Sequence, residues 1–598
     1  MKKLATILIL LACSLSLLAK PAKPGFFRYT QPDGSTILIQ RHGDEWAHWT
    51  TNQAGQVVRM DADGFYRVVE GVTAETAAQA ASIRRKARMQ MASARRANAP
   101  IAVGQKHFLV VLVNFSDLSF TTDNPNQAIS NMLNQVGYSE HGATGSARDY
   151  YYENAHGLFE PIFDVYGPVT LPQKMAYYGG NDSQGNDKAP EQAVRDACQL
   201  LDDVADFSDY DLDGDGYVDL VYMVYAGQGE ADGGASNTIW PHQWYLTSGG
   251  INLTLDGKRI DRYACGSELN GSGGLDGLGT ICHEFGHAMG LPDFYDTDYA
   301  TNGQGRTLLE YSLMDSGSYN NNGWTPPYLN MEERIMIGWL DESSILEFPK
   351  NGAYTLESVQ NNVGYKIPTD TEGEYILLEC RSKTGWDKFL PAEGLIAYHV
   401  DKSSRKVSIS TGYGTSSIAA STLWSDWVTY NAINENGKHP CFYVVASASP
   451  YDCSYGMQYD AGYSAYYYAK PGTDIPFPGG QNVTSYAPRG WSGNATEISL
   501  SGIAYAANKA SFTVSGVVTA GLDYPLIVQP ENYTAGSSFP LALELPDGFV
   551  VGSVKWTVDG AIVSGTSTVL TAGAHVIEAE VTGESGKKDI VTLEITVQ

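Results

Sequence analysis

The segment His283-Glu284-Phe285-Gly286-His287-Ala288-Met289-Gly290-Leu291-Pro292-Asp293 gathers the residue types that bind a divalent metal and move a proton. Positions i and i+4 of a helix share a face, so His283 and His287 can offer two imidazole nitrogens to one tetrahedral ion. Glu284 sits beside them but off the metal, where it can take a proton from an attacking water while zinc polarises a scissile carbonyl. Gly290 permits a sharp, left-handed turn that returns the chain to the metal, with Asp293, six residues past His287, as third ligand. At average residue frequencies, His-Glu-x-x-His alone arises by chance in about 2 of 100 chains this long. The Gly and Asp at fixed offsets lower that roughly several-hundredfold.

The helix that must carry these groups is supported by Leu278, Ile281, Phe285 and Ala288, an apolar stripe at helical spacing. About twenty residues on, Tyr311-Ser312-Leu313-Met314-Asp315-Ser316-Gly317 places a Met in a tight-turn context, as zinc peptidases with a Met turn do beneath their metal. Tyr319 follows that turn and is a candidate hydrogen-bond donor to the oxyanion. A second ion is expected in Asp211-Leu212-Asp213-Gly214-Asp215-Gly216-Tyr217-Val218-Asp219, where carboxylates at alternate positions converge if Gly216 allows the turn. Position twelve of that loop is Tyr222 in place of a bidentate Glu, so it is not a full EF-hand, and Asp219 closes the cage around a structural calcium. His242, between Trp240 and Trp244, has two open readings, cleft lining and packed core, and the same holds for His399. The aromatic run Tyr466-Tyr467-Tyr468 reads as a strand surface rather than as a site.

The chain has 598 residues, a length that implies three to five domains, and a formal net charge of −28, which argues against nucleic acid or an anionic membrane as partner. Met1-Lys2-Lys3 followed by the apolar run from Leu4 to Leu18 has the form of a secretory signal cleaved after Ala19, although Leu10-Leu11-Ala12-Cys13 also resembles a lipid-attachment sequence. No later stretch is apolar enough to span a bilayer. Secreted or cell-surface location follows, with six further cysteines too sparse for a disulfide framework. Residues 20–100 combine short strand patterns with the basic stretch Arg84 to Arg96, a natural place for proteolytic nicking, and so read as a pro-segment. That segment has no Cys, so a thiolate cap is excluded and the block is another ligand or steric occlusion; of His42, Asp44 and His48, Asp44 after Gly43 is favoured, over a purely structural turn there. Residues 101–340 read as an α/β unit opening on the buried strand Phe108-Leu109-Val110-Val111-Leu112-Val113. Short strands rich in Tyr, Ser and Thr over 341–517 read as a β-sandwich, and 518–598 as a separate immunoglobulin-like module without a core disulfide.

At 283–296, His-Glu-Phe-Gly-His-Ala-Met-Gly-Leu-Pro-Asp-Phe-Tyr-Asp resembles the immune inhibitor A family of secreted bacterial metallopeptidases. Residues 314–339, Ile239-Trp240-Pro241-His242, Glu374 to Glu379 and Gly394 to Asp401 are similar too, and the likeness runs from about 25 to 515. The resemblance implies a metzincin-type zinc endopeptidase made as a pre-proprotein, with a β-domain behind the catalytic domain and a broad choice of protein or peptide substrates. Most metzincins carry a third His where this chain has Asp293, so Glu310 and Glu332 stay open as alternative ligands. The fold expected is therefore multidomain: a small β-rich pro-domain, an α+β metzincin-like catalytic domain and C-terminal β-sandwiches. The competing reading is a secreted adhesin or glycan-binding β-protein with a vestigial protease domain.

Overall fold

In the computed structural model of the chain, the described residues are 21–598 except 24, 45–46, 62, 79, 81–101, 183–185, 299–302, 411–413, 461–464, 518–524, 531–532, 547–548 and 584–587. The leader with Cys13 and the basic stretch Arg84 to Arg96 lie outside them. The chain divides into two compact units, Met1–Ser515 and Gly516–Gln598.

The first unit opens with a five-stranded antiparallel meander, β1 (Phe27–Thr30), β2 (Thr36–Asp44), β3 (Ala47–Asn52), β4 (Val57–Met60) and β5 (Tyr66–Val68), paired in sequence order. The central sheet follows. Its strands β6 (Gly104–Asn114), β7 (Phe159–Thr170), β8 (Val221–Gln228), β9 (His242–Tyr245) and β10 (Arg262–Leu269) lie in the order β9-β10-β8-β6-β7. Pairing is parallel except for β9, which runs antiparallel to β10.

Alternation along β6 explains why that sheet is buried on both faces. Phe108, Val110 and Leu112 enter one core, while Leu109, Val111 and Val113 enter the other. The first face is covered by α1 (Pro125–Asn134), α2 (Ala147–Asn154) and α4 (Leu278–Ala288), and the second by α3 (Pro190–Leu201). Helix α4 is buried along its whole length because its apolar stripe meets the sheet. Phe285 on that stripe packs its ring against Phe108 at 4.8 Å, Tyr151 at 5.1 Å and Phe163 at 5.4 Å.

The core does not stop where the sheet ends. Leu377, Ile396, Tyr398 and Phe442, on strands Glu374–Arg381, Gly394–Asp401 and Phe442–Val444, join the same apolar cluster as α4. Those strands belong to a five-stranded sheet with Ile345–Glu347 and Gly364–Pro368, beside a three-stranded one of Gly352–Leu356, Lys509–Ser515 and Ser499–Ala506. The second unit is an antiparallel sheet of Ala561–Val563, Val551–Val558, Gly573–Gly583 and Lys588–Val597 with two short strand pairs, packed around Phe539, Trp556, Leu570 and Ile577. The architecture is thus multidomain and β-rich with some helices. All six cysteines from Cys198 to Cys453 are unpaired, and all but Cys453 are buried. Among the described residues no helix is long and apolar enough to cross a membrane.

Truncating Phe285 leaves a void under the helix that carries His283 and His287. Phe285→Ala is expected to cost about 3–5 kcal/mol of unfolding free energy. A denaturant melt of the variant beside the parent checks this; a loss under about 1 kcal/mol would contradict the packing.

Candidate metal centre

Three donor atoms converge at the end of α4. His283 Nε2 and His287 Nε2 lie 3.0 Å apart, and Asp293 Oδ1 stands 3.4 Å from each. Ligand atoms bound at ~2.0–2.1 Å to a tetrahedral ion are separated by about 3.4 Å, so this triangle has the size of one face of such a tetrahedron. His283, His287 and Asp293 are all buried, at 0%, 3% and 1% exposure.

The far side of each ligand is held. His283 Nδ1 lies 2.9 Å from the Leu313 carbonyl and His287 Nδ1 lies 2.8 Å from the Leu291 carbonyl. A carbonyl only accepts, so each Nδ1 carries the proton and each Nε2 keeps its lone pair for a metal. Burial lowers the His287 pKa, with Asp293 opposing, which favours the neutral imidazole a metal needs. Burial pushes the Asp293 carboxyl up, but the facing His287 and His283 overcome it and hold the group well below the usual carboxylate range.

The turn that brings Asp293 back follows the glycine. Gly290 has φ of +104°, its N–H donates to the His287 carbonyl at 2.9 Å, and Leu291 N–H donates to Gly286 at 3.1 Å, closing the helix. Met314 packs against the helix at Gly286: a Cβ there would come within 2.9 Å of its sulfur, so a larger residue would displace the Met314 side chain. Phe294 N–H donates to the Met314 carbonyl at 2.9 Å, tying the ligand loop to that turn. The turn is itself fixed by Ser312, whose hydroxyl accepts from Met314 N–H at 3.0 Å and donates to Glu333. Glu333 caps α5 (Met331–Ile337), and burial pushes its carboxyl up to about 7.

Glu284 is fully buried on α4, and its carboxylate, with Asp232 and Asp276, bears on the Tyr319 hydroxyl. Burial first, then these charges, raise the Tyr319 pKa well above its ordinary value, so the hydroxyl stays a donor. It donates to the Pro21 carbonyl at 2.7 Å. Glu310 and Glu332, the alternative third ligands, do not join the triangle; Glu332 pairs with Lys402 at 2.6 Å and accepts from Tyr375. His242 is packed, with Nδ1 2.6 Å from the Trp240 carbonyl and Nε2 2.8 Å from the Tyr263 hydroxyl. His399 pairs with Glu374 at 2.7 Å. Tyr467 and Tyr468 line a cavity of about 470 Å³ together with Tyr319 and Pro21.

In the acidic loop, one carboxylate oxygen each of Asp211, Asp213 and Asp219 lie within 4.8 Å of one another. Asp215 is not in that group; it accepts from Tyr217 N–H at 2.8 Å. Lys258 already stands 2.6 Å from Asp211. Burial, with Asp213 and Asp215 adding, pushes the Asp219 carboxyl up to about 6. A third grouping, Asp401, His439 and Cys441, contains an Asp401–His439 pair at 2.7 Å.

The amino-terminal meander lies against this region. His48 stacks on Trp240 at 4.4 Å and pairs with Glu230 at 3.3 Å, while Arg41 approaches the same carboxylate at 3.4 Å. His42 faces Thr51 at 2.8 Å and stacks on Trp49, and burial lowers its pKa to about 3. Asp44 is fully buried and is not among the groups that meet at His283, His287 and Asp293.

Sequence reasoning missed Asn431. Its Nδ2 donates to Asp293 Oδ2 at 2.9 Å and its Oδ1 accepts from Asp293 N–H at 3.0 Å, across 138 positions of chain. No local pattern marks such a residue.

A buried pair of imidazoles four residues apart on one helix, with a carboxylate returned to the same point and another on the same helix, is a set of groups that can hold a divalent metal. Residues 102–327 match the family model described as immune inhibitor A peptidase M6, catalytic domain, which agrees with the likeness read from the sequence. Immune inhibitor A of Bacillus thuringiensis subsp. alesti is 30% identical over 198 residues, 29% of this chain and 28% of the relative. The pre-pro-metalloprotease PrtV of Vibrio cholerae serotype O1 (strain M66-2) is 28% identical over 260 residues, 36% of this chain and 28% of the relative. This chain therefore spans well under two thirds of either relative's length. The crystal structure of OgpA from Akkermansia muciniphila overlaps 84% of this chain and 96% of its own at 10% identity, with a TM-score of only 0.21. The match marks residues 102–327 as similar to a metallopeptidase catalytic domain.

Asn431 has φ of +39°, which glycine also accepts, so Asn431→Gly removes the brace without backbone strain. Outer-shell partners of this kind are worth about 10–100-fold in metal affinity. Zinc competition against a chelating dye is expected to show a weakening of that order with little change in melting temperature; unchanged affinity would deny Asn431 this role.

Proposed function

We propose that the chain is a secreted zinc metalloendopeptidase of the metzincin type. The observation that carries this reading is the triangle of His283, His287 and Asp293, sized for a tetrahedral ion and with both Nδ1 atoms committed to carbonyls. Zinc, when bound by these three residues, supplies the Lewis acid that polarises a peptide carbonyl and acidifies water. Glu284 accepts the proton of the attacking water and returns it to the leaving nitrogen. Tyr319, protonated throughout the working range, donates to the carbonyl oxygen as charge develops there. The Met314 turn and Asn431 keep the ligands aimed, and the buried site excludes stray water.

Residues 20–100 act as a pro-segment that keeps the enzyme latent, with cleavage in Arg84 to Arg96. The Pro21–Tyr319 bond supports occlusion of the site rather than capping by Asp44. The protein's location outside the cell follows from its leader. Asp211, Asp213 and Asp219 hold a structural calcium, with Asp215 shaping the loop.

Removing the general base while sparing the ligands separates chemistry from folding. Glu284→Ala is expected to keep about one zinc per chain and lose casein hydrolysis by several orders of magnitude, roughly 10²–10⁴-fold or more. Full activity in that variant would sink the mechanism. Asp293→Ala should lose zinc where Asp296→Ala does not.

For the acidic loop, saturating calcium should raise the melting temperature of the parent, and Asp213→Ala with Asp219→Ala should abolish that rise. The four melts, with calcium and with chelator, decide it: an equal calcium response in parent and variant would retire the site.

A further inference from the structure

The amino-terminal strap, Pro21 to Lys23, runs past Tyr319. Pro21 gives its carbonyl to the Tyr319 hydroxyl at 2.7 Å, and Lys23 N–H donates to the Ala231 carbonyl at 3.0 Å. Ala22 N–H donates to the Gly43 carbonyl at 2.9 Å, so the strap is held from both sides. Its one charged side chain in this stretch is fixed too. The Lys23 ammonium stands 2.9 and 3.1 Å from the two oxygens of Asp232, and 5.9 Å from the centre of the Tyr319 ring.

Asp232 is only 4% exposed, at the end of the single turn Glu230–Asp232. A carboxylate so enclosed is costly unless a cation meets it. Here that cation belongs to a segment which leaves when the enzyme is activated. The neighbouring Glu230 repeats the pattern, since its partners Arg41 and His48 also come from the meander. A substrate strand taking the strap's path past Tyr319 must satisfy the same acid.

We propose that Asp232 determines specificity, selecting a lysine or arginine side chain of the protein substrate, and that Lys23 fills this subsite in the uncleaved chain as an internal stand-in. The inference rests on the peptidase reading of the site. It names the substrate class as polypeptides carrying an exposed basic residue, a choice that the zinc ligands do not impose.

The test uses the full chain and a set of quenched peptides in which one lysine is walked along a neutral sequence, each matched by a norleucine peptide. Lys23→Ala should raise the initial rate on the norleucine peptides at least about tenfold over the parent, and Lys23→Arg should not. In the Lys23→Ala chain, lysine at one register should raise kcat/KM at least about tenfold over norleucine. Adding Asp232→Asn should bring that ratio to about one, and Asp232→Glu should retain the preference. The same lysine preference with and without Asp232→Asn overturns the proposal, as do equal rates for Lys23→Ala and Lys23→Arg. Hydrolysis that survives Glu284→Ala in the Lys23→Ala chain defeats the peptidase mechanism instead, whereas hydrolysis lost with Glu284→Ala but indifferent to lysine defeats Asp232 alone.

Discussion

Two imidazoles and a carboxylate must be kept about 3 Å apart in the dry interior of this protein, and the rest of the first unit is arranged around that demand. Polar groups brought so close cost free energy unless each has a fixed partner on its outer side. Leu313, Leu291 and Asn431 are those partners, and they come from three different stretches of chain. The helix is anchored by Phe285 in an aromatic cluster, and its end is shaped by Gly290. Gly286 lets Met314 close underneath. A one-residue change of register in any of these would separate the three donors.

The strands after residue 341 are part of this arrangement. Asn431 reaches Asp293 from beyond the central sheet, and Leu377, Ile396 and Tyr398 complete the core beneath α4. A buried cation strengthens the join: Arg381 pairs with Asp387 at 2.7 Å while donating to the Tyr311 and Tyr328 carbonyls. Such a group is expensive to bury alone and favourable only when every donor is placed, so it ties the register of the β-strands to the loop that follows the Met turn. The match to the immune inhibitor A catalytic domain ends at 327, short of both the Asn431 brace and this ion pair.

Enclosed charges are among the contacts by which the amino-terminal meander meets the segment Glu230–Gly234. Arg41 is fully enclosed, and donates to the Gly234 carbonyl at 2.6 Å and the Tyr66 hydroxyl at 2.7 Å besides approaching Glu230. Each such contact fixes orientation, because an enclosed guanidinium or carboxylate tolerates few alternative positions.

The sequence by itself determined which groups converge: His283 and His287, with Glu284 beside them, follow from helical spacing, and Gly290 with Asp293 follows from the turn that glycine allows. Alternation along Phe108 to Val113 and the stripe on Leu278, Ile281 and Phe285 likewise specified a buried strand and a buried helix, because periodicity is a local property. Only the tertiary structure decided the rest. Asn431, Glu333 and Asp232 act across long separations in chain, and an isolated Asn, Glu or Asp carries no sign of the partner it will meet. Position twelve of the acidic loop was readable, yet the exclusion of Asp215 from the converging carboxylates was not, since it depends on which backbone N–H each oxygen finds after folding. His242 could be read two ways until the Trp240 carbonyl and the Tyr263 hydroxyl were seen to take both its nitrogens. Spacing along a chain fixes which side chains can share a face; what faces them is fixed only when the chain has closed on itself.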